Sequence, residues 1–194
     1  CAVEAGADAL GFVFFSASPR SVDAETAGEI IRKVSPFITT VGVFVDESVE
    51  NIKEIVLCAG LHAVQLHGEE SPEFVERVRS ALPNTRIIKA LRISNSDDFI
   101  SIGAYAVDAV LLDTFHKEQY GGTGEVFDWD LMLKAKMPEG VPFILAGGLK
   151  PANIESAVKK VKPFAVDVSS GVETEPGKKD PALIKEFIKN IGRT

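Results

Sequence analysis

Short apolar runs rich in Val, Ile and Phe return along the whole chain, and their spacing restricts the fold more than any other feature. They cover residues 9–15, 40–45, 63–66, 87–91, 107–112, 142–146 and 164–168. The mean step between their first residues is about 26, the size of one βα unit. Most runs are continuous rather than alternating, the pattern of parallel strands covered on both faces. Helix signals stand between them. Ser71-Pro72 and Asp180-Pro181 each pair an N-cap residue with proline at the first helical position. Val49, Ile52 and Ile55-Val56 make one apolar stripe, and Leu183, Ile184, Phe187 and Ile188 make another. Gly60 is placed to end the first of these, and Pro151 to open a further helix.

Repeated βα units fold either as an open doubly wound sheet or as a closed (β/α)8 barrel. Polar and glycine residues gather just after nearly every run: 16–20, Asp46, His67-Gly68, Arg92, Asp113, Gly147-Gly148 and Ser169-Ser170-Gly171. A barrel builds its working rim from many strand ends, whereas an open sheet concentrates chemistry at one switch point. The expected fold is therefore α/β, a (β/α)8 TIM barrel, as a single domain over residues 1–194 with no internal linker. The seven runs are one short of eight. Residues 1–8 read as a helix end and a turn, so the first strand and most of the first helix are expected to precede Cys1. The repeat length puts that segment at on the order of 15–20 residues, and without it two strand edges would stay unpaired.

Composition narrows the partners. Hydrophobic residues make up 45% of the chain and charged residues 25%, which excludes a disordered polymer. A domain of this length buries enough apolar surface to need no disulfide or metal staple. With 28 acidic against 21 basic residues, the net charge of −7 argues against nucleic acid or an anionic membrane as the main partner. No apolar run approaches the ~20 residues of a membrane helix, and residues 1–8 lack the basic and apolar regions of a signal peptide. Two cysteines, Cys1 and Cys58, fit a reduced, cytoplasmic protein, with Cys58 expected to pack at a helix end. His62, His67 and His116 show no metal-ligand spacing, so no metal and no other cofactor is expected.

Several rim residues have both a chemical and a structural reading. Gly147-Gly148 and Ser169-Ser170-Gly171 follow the seventh and eighth strands in barrel numbering, where outward-facing backbone N–H groups bind phosphate. The plainer reading is that these glycines permit tight turns. Asp113 ends the run Val110-Leu111-Leu112, and a carboxylate above an apolar core serves as a general acid. Otherwise it caps a helix or anchors a loop. Arg20, after Ser18-Pro19, offers a bidentate contact to a substrate carboxylate, or is a solvated surface charge. His67 is either a ligand contact or a structural hydrogen-bonding group. Lys89 and Asp167 lie inside strands and are expected to point inward or to pair there. The glycines of Tyr120-Gly121-Gly122-Thr123-Gly124 read as hinges of a lid spanning 116–125, or as a plain loop.

Together these motifs resemble the phosphoribosylanthranilate isomerase family. The likeness runs through Gly6-Ala7-Asp8-Ala9, Gly11-Phe12-Val13-Phe14, Ser18-Pro19-Arg20 and Val64-Gln65-Leu66-His67-Gly68. It continues in Leu111-Leu112-Asp113-Thr114, Tyr120-Gly121-Gly122-Thr123-Gly124, Leu145-Ala146-Gly147-Gly148-Leu149 and Asp167-Val168-Ser169-Ser170-Gly171-Val172-Glu173, and closes with Pro176-Gly177-Lys178-Lys179-Asp180. The resemblance implies an Amadori rearrangement of N-(5-phosphoribosyl)anthranilate, a small phosphorylated substrate, in tryptophan biosynthesis. It implies Asp113 as the acid that protonates the ribose ring oxygen, Arg20 at the anthranilate carboxylate, and the 147–148 and 169–171 turns at the phosphate. The family's base is a cysteine in a Lys-Ile-Cys-Gly-type motif on its first strand, and these 194 residues contain no such motif. The expected assembly is a monomer or a homodimer. Two other readings stand beside it: a different sugar-phosphate isomerase or epimerase barrel, and a catalytically impaired barrel that still binds phosphorylated ligands.

Overall fold

The computed structural model describes residues 1–93, 102–113 and 140–192. They fall into two compact units, Cys1–Ala90 with Tyr105–Asp108, and Leu91–Ala104 with Ala109–Thr194.

The first unit opens with α1 (Ala2–Ala5), which Gly6 ends in the left-handed region at φ 106°. Strands β1 (Ala9–Val13), β2 (Thr39–Phe44), β3 (Ala63–Leu66) and β4 (Arg86–Arg92) follow, the last two residues of β4 belonging to the second unit. They pair in parallel and in chain order, with Leu10 opposite Thr40, Val41 opposite Ala63, and Leu66 opposite Lys89. Helices α2 (Ala24–Ile31), α3 (Val49–Ala59) and α4 (Pro72–Ala81) connect them. Each starts where the sequence supplies an oxygen for an otherwise unpaired amide. Asp23 accepts from Thr26 N at 2.7 Å, Ser48 from Asn51 N at 3.2 Å and Ser71 from Phe74 N at 3.3 Å. Such caps contribute about 1 kcal/mol each. Gly60 ends α3 at φ 76°, as expected. The core gathers Ala27, Ile52, Val56, Val64, Leu66, Val75, Val78 and Ile87 around a stacked Phe14–Phe44 pair with centroids 5.3 Å apart.

Asp108 ties α4 to β4. Burial alone would raise its carboxyl pKa, but bonds from Ile87 N (2.9 Å), Arg86 Nη1 (2.8 Å) and Arg79 Nη2 (3.0 Å) outweigh burial and hold it below the ordinary value.

The second unit contains the parallel strands β5 (Ala109–Asp113), β6 (Phe143–Ala146) and β7 (Ala165–Val166), again in chain order. Helix α5 (Ile154–Val161) lies between β6 and β7 in the chain. After β7 come a 3₁₀ turn (Ser170–Val172), an antiparallel hairpin of β8 (Glu173–Glu175) and β9 (Lys178–Lys179), and helix α6 (Pro181–Asn190). Asp180 caps α6 through Ala182 N at 2.7 Å and Leu183 N at 3.2 Å, with Pro181 at its first turn. Leu111, Leu112, Leu145, Ile154, Ala157, Val172, Ile184 and Phe187 are buried.

Three local expectations are corrected. Pro151 does not open α5. Asn153 Oδ1 accepts from Lys150 N at 2.8 Å and its Nδ2 donates to Gly148 O at 3.0 Å, closing 148–153 into a turn, so the helix starts at Ile154. Cys58 is exposed, because α3 buries positions 49, 52, 56 and 59 and a period of 3.6 turns position 58 away. Asp167 lies just past β7 rather than inside a strand, and is exposed, which rules out the inward orientation and leaves the expected pairing standing.

Candidate functional site

In the first unit the working groups sit on turns that follow β1, β2 and β3. After β1 the chain folds back on itself: Ser18 N donates to Phe15 O, Ser21 N to Ser18 O, and Val22 N returns to Val13 O at 2.9 Å. Arg20 N donates to Ser18 Oγ at 3.2 Å, so Ser18 and the returning chain fix the half-buried arginine at the strand's C-terminal end.

The turns after β2 and β3 are tied together by one buried carboxylate. Glu70 Oε1 accepts from Asp46 N at 3.0 Å, both its oxygens accept from Gly68 N at 3.0 Å, and Oε2 accepts from Lys89 Nζ at 2.8 Å. Lys89 also donates to Gly68 O at 2.7 Å and Leu66 O at 3.3 Å, and the side chains of both partners are only 2% exposed. Lys89 thus points inward and pairs, as its place in a strand led us to expect. Asp46, at φ 49°, reaches across to Glu69 N at 2.7 Å. A side chain at Gly68 would run into that Asp46 carboxylate, which is why glycine stands there. This frame carries His67, whose N–H donates to Phe44 O at 2.8 Å. Gln65 Nε2 lies 2.9 Å from His67 Nδ1, a contact that orients the imidazole ring.

In the second unit, Asp113 is the last residue of β5, in register with Ala146, and its carbonyl accepts from Ile93 N at 3.1 Å. Gly147 and Gly148 follow β6 at φ 83° and 60°, conformations that cost glycine nothing. The turn after β7 meets the turn after β6 directly: a Cβ on Gly171 would overlap the Leu149 carbonyl oxygen and lie 3.2 Å from Lys150 Cα. Gly147, Gly148, Ser169, Ser170 and Gly171 therefore belong to two interlocked turns. Gly171→Ala should cost on the order of 1–3 kcal/mol in denaturant unfolding, whereas Gly103→Ala, with nothing within 4 Å of its Cβ, should not.

Sequence reasoning missed three tying groups. Asn153 closes the first of these turns. Lys179 holds the second: its Nζ donates to Ser169 O at 2.9 Å, to Ser169 Oγ at 3.3 Å and to Glu173 Oε1 at 2.8 Å. Glu70 holds the frame under His67. The Pro176-Gly177 turn signal marked the hairpin that brings Lys179 back; nothing local marked Glu70. The expected lid at 116–125 and His116 lie outside the described residues. Among the described residues, no group of three His, Cys, Asp or Glu side chains is arranged to hold a metal ion.

A family model described as N-(5'phosphoribosyl)anthranilate (PRA) isomerase matches residues 1–190. The N-(5'-phosphoribosyl)anthranilate isomerase of Thermotoga neapolitana is 51% identical over 187 residues, 96% of this chain and 89% of that one. The fold superposes on the crystal structure of phosphoribosyl anthranilate isomerase from Thermotoga maritima with a TM-score of 0.85 at 44% identity, covering 98% of this chain and 90% of that one. A structure of such an isomerase in complex with reduced 1-(o-carboxyphenylamino)-1-deoxyribulose 5-phosphate superposes with a TM-score of 0.82 at 42% identity, with the same coverage.

Proposed function

The chain belongs to the N-(5'-phosphoribosyl)anthranilate isomerase family, and from that premise we propose a role for each rim residue described above. The fold class is the (β/α)8 barrel, and the activity is the isomerisation of N-(5-phosphoribosyl)anthranilate to 1-(2-carboxyphenylamino)-1-deoxyribulose 5-phosphate in tryptophan biosynthesis. The observation that carries this reading is the family match over residues 1–190, together with Asp113 at a strand's C-terminal end.

The reaction needs a proton on the furanose ring oxygen before the C1–O bond breaks to give the Schiff base. Asp113 delivers it. The C2 proton is then removed, and the enolamine passes to the ketone with no net change in composition. The family assigns that removal to its cysteine, and no residue among these 194 is given the task. Arg20 binds the anthranilate carboxylate with a two-pronged fork, and His67 contacts the substrate. The backbone amides of Gly147, Gly148, Ser169, Ser170 and Gly171 take the phosphate. Among the described residues no helix is long and apolar enough to cross a membrane, and we propose that the enzyme works in the cytoplasm as a monomer or homodimer.

The test is a comparison of kinetics and folding for Arg20→Lys. An ammonium cannot reproduce a planar fork, so KM should rise roughly 10–100-fold while Tm stays near that of the parent. Parallel loss of Tm and affinity would make Arg20 a structural residue. Failure of an enzyme that also carries the family's first-strand cysteine to consume N-(5-phosphoribosyl)anthranilate would remove the proposed roles of these rim residues.

A further inference from the structure

We propose that Lys179 is a positioning residue for phosphate binding, acting through the hydroxyl of Ser169. The inference rests on the reading above that the 169–171 turn binds the phosphate. An ammonium has three protons and no lone pair, and Lys179 directs them to Ser169 O, Ser169 Oγ and Glu173 Oε1. Ser169 Oγ is therefore an acceptor toward Lys179, and its own proton must point elsewhere. Ser169 is exposed, so that proton is turned toward solvent and toward whatever anion arrives there. Accepting a bond from a cation also polarises the O–H and makes it a stronger donor.

The surrounding hairpin holds the lysine to this task. Lys179 stands opposite Glu173 in the β8–β9 ladder, Asp180 N donates to Val172 O at 2.8 Å, and Gly177 makes the turn at φ 87°. The Glu173 side chain is only 4% exposed and offsets the lysine's charge. The contribution to anion binding thus runs through orientation of the hydroxyl more than through net positive charge.

The experiment measures KM for the phosphorylated substrate and competitive inhibition by inorganic phosphate in the active enzyme. Lys179→Met and Ser169→Ala should each raise both constants roughly tenfold, with kcat unchanged because the bonds that break lie at the other end of the substrate. The double variant should be no worse than Lys179→Met, since both changes act on one hydroxyl. Should Lys179→Met not fold, Lys179→Gln takes its place. Inhibition by phosphate that is unchanged in the lysine variant, or effects that multiply in the double variant, would overturn the proposal. Gly148→Asp separates this from the broader reading: it sets a carboxylate on the neighbouring turn where the Cβ meets nothing within 4 Å, and aspartate tolerates the left-handed φ of 60° better than most side chains, so a melting curve accompanies the binding measurement. The substitution should abolish phosphate inhibition; if it does not, the phosphate site itself is misassigned and the role of Lys179 falls with it.

Discussion

In an enzyme that carries the family's first-strand cysteine, replacing Asp113 with asparagine is expected to lower kcat by roughly 10²–10⁴-fold, the usual worth of a positioned general acid, and to leave KM nearly unchanged. Asparagine keeps the shape of the side chain and cannot deliver a proton to the ring oxygen. On the proposed reading most ground-state affinity resides in the phosphate and carboxylate contacts, which the substitution does not touch, so the loss should be confined to the transition state. The last residue of a parallel strand also tolerates this change structurally, since β5 is held by its backbone ladder to β6. Steady-state kinetics and a melting curve on the same preparation decide the matter. A kcat within a few fold of the parent would transfer the acid role to another group.

The largest stability effect is expected at the Glu70–Lys89 pair. Removing one partner of a buried ion pair typically costs 3–5 kcal/mol, because the other charge is left unpaired away from water. The two partners are not equivalent here. Lys89→Met leaves the carboxylate still accepting from Asp46 N and Gly68 N. Glu70→Leu strands both amides and leaves the buried ammonium with only the Gly68 and Leu66 carbonyls and no counter-charge, and should be the more damaging, with a fall in Tm on the order of 10 °C or more for a chain of this size. The double variant should cost less than the two singles combined, since neither charge then remains to be stranded. Denaturant unfolding of the three variants checks the ranking. Additive losses would show that the pair does not act as a unit.

The repeat of apolar runs was enough to read the parallel order of strands, because burial on both faces leaves a continuous apolar signature. The caps at Ser71 and Asp180 were legible for a similar reason, since their chemistry is complete within three residues. Cys58 was misread: its position near a helix end suggested packing, whereas the period of its own helix turns it outward. Pro151 was a weaker signal than it looked. Asn153, two residues on, competes for the same backbone groups and delays the helix. Of the candidate site, Asp113 and His67 could be nominated because a polar residue at a strand's end is visible in one dimension, and Arg20 because it follows the Ser18-Pro19 turn after β1. Their supports could not. Glu70 and Lys89 are 19 residues apart, and Lys179 and Ser169 are 10 apart; no periodicity selects these partners from among the other charged residues.

The knot around Glu70 has a consequence for how such a chain can be cut and rejoined. A βα repeat invites the idea of interchangeable modules, each portable between relatives with a crossover anywhere in the linking turns. Glu70 follows β3, Asp46 follows β2 and Lys89 lies on β4, so the tie spans three successive units. A crossover between residues 70 and 89 separates the carboxylate from its ammonium, whereas one between β2 and β3 leaves a backbone amide at position 46 for any residue but proline. Recombinants broken between residues 70 and 89 should therefore need a matching carboxylate and ammonium from their two parents.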